Sequence, residues 1–228
     1  MSEINWVPLE SNPEVMNKFL HKAGVPPTKG FCDVYGLDEA LLAMIPQPVS
    51  AIILLFPITK KYEEYLETIK DKEEDCPTGL FYLKQTVGNS CGTVAMVHAI
   101  ANNSSQFDLL KDSVLANYVE KFRNSDPEEK GKQLGNSSEI YDVHKDVAHE
   151  GQTAAPAANE KVVEHFVALV HHDGGLWELD GRKSCPIKHG VTSPETLLQD
   201  AAVVCKKFME RDPDNHNFNI MALTTLEQ

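Results

Sequence analysis

The sequence predicts an α+β fold, and three observations carry that prediction. Val49 to Phe56 is a continuous apolar run of strand length, as expected for a central strand buried on both faces. HFVALV and LWELD, joined by the turn-forming HHDGG, read as a strand pair late in the chain. Most of the remainder carries helical stripes, above all Cys91 to Ala101, which is apolar almost all round and so belongs in a core.

The elements follow in order. Ser11-Asn12-Pro13-Glu14 starts a helix, either as a capping box from Ser11 to Glu14 or with Asn12 as cap and Pro13 at the first helical position. Val15, Met16, Phe19 and Leu20 form its apolar stripe, and Gly24 closes it. Phe31 to Tyr35 is a short strand and Leu37 to Ile45 a short helix. Tyr62 to Lys72 is a charged surface helix. Leu109 to Arg123, Pro127 to Leu134 and Ser138 to Val147 are helices with polar outer faces. Glu150 to Lys161, EGQTAAPAANEK, has small residues, one proline and no apolar period, so it reads as a lid, a binding loop or a disordered segment. After the hairpin, Pro194 to Arg211 is a long helix ending at Asp212-Pro213, and Phe218 to Thr224 a last strand. No interior linker is visible, so residues 1–228 are expected to form one domain.

Composition excludes several classes of function. The five cysteines, Cys32, Cys76, Cys91, Cys185 and Cys205, are odd in number and lack a CxxC spacing. That argues against a disulfide framework and against a zinc finger. The longest apolar run, Pro48 to Ile58, is about eleven residues, too short to span a bilayer. MSEINW shows no signal-peptide pattern and TTLEQ no prenylation box. Reduced thiols in the cytosol, or also the nucleus, are expected. A net charge of −13 without a basic patch argues against nucleic acid. The acidity serves solubility, and a part of it can steer a partner with a basic surface. No metal or cofactor is implied, and the expected state is a monomer.

The chemistry centres on KQTVGNSCGTVAMVHAIANN, Lys84 to Asn103. Cys91 stands where a polar, Gly-containing run becomes an apolar helix, and a helix start favours thiolate over thiol. Cys205 and Cys32 read as small buried hydrophobes, whereas Cys76 and Cys185 each precede proline in loop-like context and fit either reading. A thiol nucleophile needs a base. His98 is two turns along the same helix from Cys91 and cannot reach its start, so it reads as a core residue. His144 and His149 lie on or just after a polar helix, and His189 and His216 in loops. His165 differs, because it heads an apolar strand. With Asp173-Gly174 as a two-residue turn, or His172 to Gly175 as a four-residue loop, Val167 pairs with Asp180 and His165 with Arg182. His165 and Asp180 are then diagonal neighbours on one face, ~7–8 Å apart and within reach of a hydrogen bond. A three-residue loop reverses this. Glu178 shares the face one pair further away and reads as a salt-bridged or exposed strand residue. Cys91, His165 and Asp180 read as acyl-transfer machinery: nucleophile, base and orienting carboxylate. Gln85 can donate to an oxyanion together with the Cys91 backbone N–H, although spacing alone fits an ordinary buried amide equally well.

At these residues the sequence resembles the ubiquitin carboxyl-terminal hydrolases. The similarity runs through WVPLESNPEV, FPIT, KQTVGNSCGTVAMVHAIANN, AHEGQTAAP, HFVALV, LWELDGRK and CKKFMERDP, from near the first residue to near the last. The family's oxyanion glutamine falls on Gln85, its nucleophile on Cys91, its base on His165 and its carboxylate on Asp180. Ser90 stands where many members have alanine. The resemblance implies a thiol hydrolase cleaving ester, thioester, amide or isopeptide bonds after the C-terminal glycine of ubiquitin. It implies a papain-related fold, with a central antiparallel sheet between helices and a knotted backbone, an exception to the rule against threading. It makes about residues 149–161 a crossover loop that admits a thin tail and favours small or unfolded leaving groups. The partner implied is ubiquitin, or the related modifier NEDD8. Glu10, Glu14 and Asp33 are the carboxylates expected to meet the arginines of ubiquitin's tail. A ubiquitin-holding protein with secondary catalysis, and a general papain-like protease, are the competing readings.

Overall fold

The computed structural model describes residues 5–69, 76–160 and 162–226. Six strands form one antiparallel sheet: β1 (Lys29–Asp33), β2 (Ala51–Pro57), β3 (Glu164–His172), β4 (Gly175–Leu179), β5 (Ile187–Val191) and β6 (Asn219–Thr225), in the order β1-β6-β2-β3-β4-β5. The helices are α1 (Pro13–Ala23), α2 (Glu39–Leu42), α3 (Lys60–Ile69), α4 (Cys91–Ala101), α5 (Val114–Phe122), α6 (Pro127–Asn136), α7 (Ser138–Val147) and α8 (Leu197–Arg211).

The apolar run read as a central strand is β2, paired with β6 on one side and β3 on the other. Alternation sends its side chains to two cores. Ala51 and Ile53 join Phe166, Ala168 and Val170 beneath α4, α1, α5 and α7. Ile52, Leu54 and Phe56 join Val167 and Leu169 beneath α8 and Tyr62 of α3. Every residue of α4 from Gly92 to Ala101 is buried, which is why its sequence shows no polar stripe.

Local signals set most boundaries. Asn12 caps α1 by accepting the Glu14 N–H, with Pro13 in the first turn. Ser11 is not the cap; its hydroxyl donates to Asn219. Gly24 ends the helix with a φ of 108°. The chain reverses between β3 and β4 on Asp173 (φ 47°) and Gly174 (φ 70°), a two-residue turn with both central residues left-handed. Three expectations shift. The helix expected from Leu109 begins at Val114, where Ser113 accepts the Ala116 N–H. The long C-terminal helix begins at Leu197 rather than Pro194. His189, placed in a loop by its sequence context, lies in edge strand β5, whose mostly exposed residues show no apolar alternation. The last residues of the helix expected to run to Lys72, and Lys161 of the expected loop, lie outside the described residues.

Candidate active site

The turn chemistry decides the geometry of the histidine and its acid. A two-residue turn pairs His172 with Gly175 and Ala168 with Leu179. Carried along the hairpin, that register sets Asp180 diagonally from His165, and His165 Nε2 donates to Asp180 Oδ1 at 2.7 Å. His165 is 3% exposed and Asp180 1%. By alternation His165 belongs to the sheet face of Val167 and Leu169, where its ring stands edge-on to Phe56 at 5.8 Å. Cys91, the first residue of α4, packs against the opposite core. The thiol and the imidazole therefore come from opposite layers. They meet where the sheet ends, where Cys91 and His165 line one cavity. Because Nε2 is committed to Asp180, Nδ1 is the ring atom left for the sulfur.

Each charge has a physical cause. Burial pushes the Cys91 thiol up, but the His165 hydrogen bond and charge, with the backbone N–H groups of Phe166 and Gly92, outweigh it, so the thiol lies below its ordinary value. Burial pushes His165 down, but Asp180 and Cys91 outweigh it and hold the imidazolium well above its usual range. Burial raises the Asp180 carboxyl, and His165, Lys183 and the Arg182 backbone N–H carry it well below the carboxylate range. Both shifts favour the thiolate–imidazolium form of the pair over the neutral one.

Gln85 reaches the same place from the segment before α4. Its Nε2 donates to the Val87 carbonyl at 3.1 Å, leaving the second N–H of that amide. Its Oε1 is buried without a hydrogen-bond partner among the described residues. The Ser90 hydroxyl donates to the same Val87 carbonyl at 2.8 Å, so the turn carrying Gln85 is tied to the entrance of α4. Gln85 N–H donates to the Gly181 carbonyl at 2.8 Å. A Cβ on Gly181 would stand 3.0 Å from Gln85 N and Cβ. The glycine after Asp180 lets the two segments touch.

Other groups at the site carried no sequence signal. Tyr62 of α3 donates to Asp180 Oδ2 at 3.3 Å, and the Tyr82 hydroxyl lies 2.7 Å from both the Asp180 and Lys183 carbonyls. The buried Glu178, expected to be salt-bridged or exposed, accepts from Lys183 and from His189. Burial raises its carboxyl, but Lys183 and the hydrogen bond from His189 bring it down to about 2. His98 is a core residue, as its place in the helix predicts. It stacks on Tyr82 and accepts the Leu83 N–H, and burial lowers it to about 4, so it stays neutral.

Three carboxylates expected to bind a basic tail divide. Glu10 lines a cavity beside Cys91, but its carboxylate accepts from Gln152 N, Thr153 N, Thr153 Oγ1 and Asn12 Nδ2. Asp33 accepts from Asn219, which also accepts the Ser11 hydroxyl, and Glu14 is exposed at the start of α1. The loop clasped by Glu10 is tied a second time, where Asn89 Nδ2 donates to the Ala158 carbonyl. Asn89 itself is left-handed at φ 60°. Cys32, Cys76, Cys185 and Cys205, like Cys91, form no disulfide. Among the described residues no metal-holding cluster is found, and no helix is long and apolar enough to cross a membrane.

The family model for ubiquitin carboxyl-terminal hydrolase, family 1, matches residues 6–210. A ubiquitin carboxyl-terminal hydrolase of Drosophila melanogaster is 48% identical over 229 residues, covering 99% of this chain and 100% of that protein. One from Aplysia californica is 50% identical, covering 93% and 99%. The Trichinella spiralis UCH37 catalytic domain, solved bound to ubiquitin vinyl methyl ester, shares the fold with a TM-score of 0.78 at 23% identity, over 100% of this chain and 98% of that one. The chain belongs to ubiquitin carboxyl-terminal hydrolase family 1, a family of cysteine-type hydrolases.

Proposed function

We propose that Cys91, His165, Asp180 and Gln85 cleave the bond that follows the C-terminal glycine of ubiquitin. The observation that carries this reading is that the Cys91 thiol and the His165 imidazole line one cavity while the imidazole is hydrogen-bonded to the Asp180 carboxylate. The Cys91 thiolate attacks the glycine carbonyl, and the oxyanion takes the free Gln85 N–H and the Cys91 backbone N–H. The C–N, C–O or C–S bond to the leaving group breaks as His165 gives up its Nδ1 proton to the departing atom. Water, deprotonated by the same imidazole, then hydrolyses the thioester. Asp180 orients the ring and keeps it charged.

The loop at about residues 149–161 acts as the crossover strap. Gly151, Thr153, Ala155 and Pro156 line the cavity beside Cys91, and Glu10 and Asn89 tie the strap at two points. A Gly-Gly tail is slim enough to pass beneath it, whereas a folded leaving group is not. Small adducts and unfolded extensions are therefore the favoured leaving groups. Glu14 and Asp33 are the carboxylates open to the tail's arginines, with Glu10 joining them when it releases the strap. The modifier is ubiquitin or NEDD8, the working state a monomer, and the compartment the cytosol or nucleus.

The test is hydrolysis of a fluorogenic ubiquitin C-terminal amide by the parent and by Cys91→Ala, with a ubiquitin probe bearing a C-terminal electrophile to map the labelled residue. Turnover lost on Cys91→Ala, and label on Cys91, support the reading. Equal inactivity with retained ubiquitin binding would instead make the protein a ubiquitin holder. Turnover of short peptides lacking ubiquitin would make it a general protease.

A further inference from the structure

Two cavities meet at Cys91, and they differ in chemistry. The first, of about 260 Å³, is walled by Leu9, Leu55, Phe166 and the strap. The second, of about 490 Å³, is lined by Gln85, His165, Lys60, Glu63 and Arg182. Cys91 borders both, but His165 and Gln85 border only the second. On the reaction read above, His165 protonates the departing atom, so the departing group lies on the side where His165 is exposed to the substrate. That places the acyl tail in the first cavity and the leaving group in the second.

The second cavity is charged. Arg182 Nη2 donates to Glu63 Oε1 at 3.2 Å in a single hydrogen bond, with the guanidinium side chain 38% exposed. A guanidinium carries five N–H donors in a planar fork, so one bond leaves most of the fork for a second acceptor. The backbone N–H of Arg182 donates to Asp180 Oδ1 at 3.0 Å. The same carboxylate oxygen accepts from His165. The cation is thus held in register with the proton donor. Lys60 adds a second positive charge at the rim, paired with Glu64 of the next helical turn at 3.6 Å. Glu63 is neutralised by Arg182. Glu164 borders both cavities.

We propose that the second cavity is a leaving-group subsite for a primary amine that bears a free carboxylate, an amino acid or short peptide, with Arg182 as its carboxylate anchor. This rests on the hydrolase reading. In the step concerned, the Cys91 sulfur bonds to the glycine carbonyl carbon, the C–N bond breaks, and the imidazolium proton goes to the departing nitrogen. The product amine leaves with its carboxylate intact.

The test uses a matched pair of ubiquitin conjugates: lysine joined through its ε-amine with its α-carboxylate free, and the same conjugate with that carboxylate amidated. The readout is the ratio of kcat/KM for the two. A half-exposed guanidinium–carboxylate contact gives the parent a preference of about fivefold for the free acid. Arg182→Gln brings the ratio to about one, Arg182→Glu inverts it, and Glu63→Gln, which frees the guanidinium, raises it. A parent without preference, or a ratio retained by Arg182→Glu, overturns the subsite. A parent inactive on both conjugates and unlabelled by the ubiquitin probe overturns the hydrolase reading itself, and the subsite with it.

Discussion

Replacing Glu10 by alanine removes one acceptor from three donors of the strap: Gln152 N at 3.1 Å, Thr153 N at 2.8 Å and Thr153 Oγ1 at 2.5 Å. A hydrogen bond contributes about 1 kcal/mol net, and somewhat more with a charged acceptor. The half-exposed setting discounts the sum to about 1–2 kcal/mol. That corresponds to a roughly 5- to 30-fold larger population of released strap. The assay is hydrogen exchange at the amides of Gln152 and Thr153, the two backbone donors concerned, which should accelerate by that factor in Glu10→Ala. Glu14→Ala, lacking any bond to the strap among the described residues, should leave both rates alone. Exchange in Glu10→Ala within twofold of the parent would refute the clasp. The pH dependence has a definite sign. Burial raises the Glu10 carboxyl, but the Thr153, Asn12 and Gln152 donors outweigh it and lower it to about 2. A depressed carboxyl contributes above its ordinary value of 4.5, and the clasp is lost as pH falls through about 2.

Three further outcomes follow from named contacts. Gln85→Ala should lower kcat by ~10²–10³ with little change in KM, because the amide acts on the oxyanion; a change under threefold in the steady-state kcat would remove it from that role. Asp180→Asn removes the charge that keeps the imidazolium above its usual range, so kcat should fall by roughly 10²–10⁴ and the alkaline limb of the kcat/KM profile should move to lower pH; an unmoved limb would contradict the ion-pair account. Gly131→Ala tests how α6 packs: a Cβ there would stand 1.9 Å from the Lys84 carbonyl oxygen, just before Gln85. Although alanine favours a helix by about 1 kcal/mol, the overlap should reverse the sign and cost about 1–3 kcal/mol, and a melting temperature at or above the parent's would mean the helix shifts freely.

Much of the site was legible because its signals are local. Cys91 announces a helix start by the change from NS to an all-apolar run, and α4 begins at that residue. The His165–Asp180 pair followed from strand period and turn length, since Asp-Gly supplies the two left-handed residues that such a turn requires. Gln85 was legible only through its resemblance to a family, because a buried amide looks alike in sequence whether it donates to backbone or to a reacting atom. Tyr62 was invisible for a different reason. It reaches Asp180 across 118 residues of chain, and no spacing rule spans that distance. Edge strand β5 was missed because an exposed strand lacks the apolar period on which strand prediction rests.

By itself the sequence determined the α+β class, the buried central strand, the register of the late hairpin and the place of Cys91 at a helix start. Each depends on periodicity or on turn chemistry, which short-range sterics and burial impose within a few residues. Only the tertiary structure decided that a thiol from one layer and an imidazole from the other meet at the end of the sheet. It also decided that Glu10 clasps the strap, and that Arg182 stands beside the proton donor. Those contacts join side chains brought together by packing of the two cores, and the free energy of that packing belongs to no single segment.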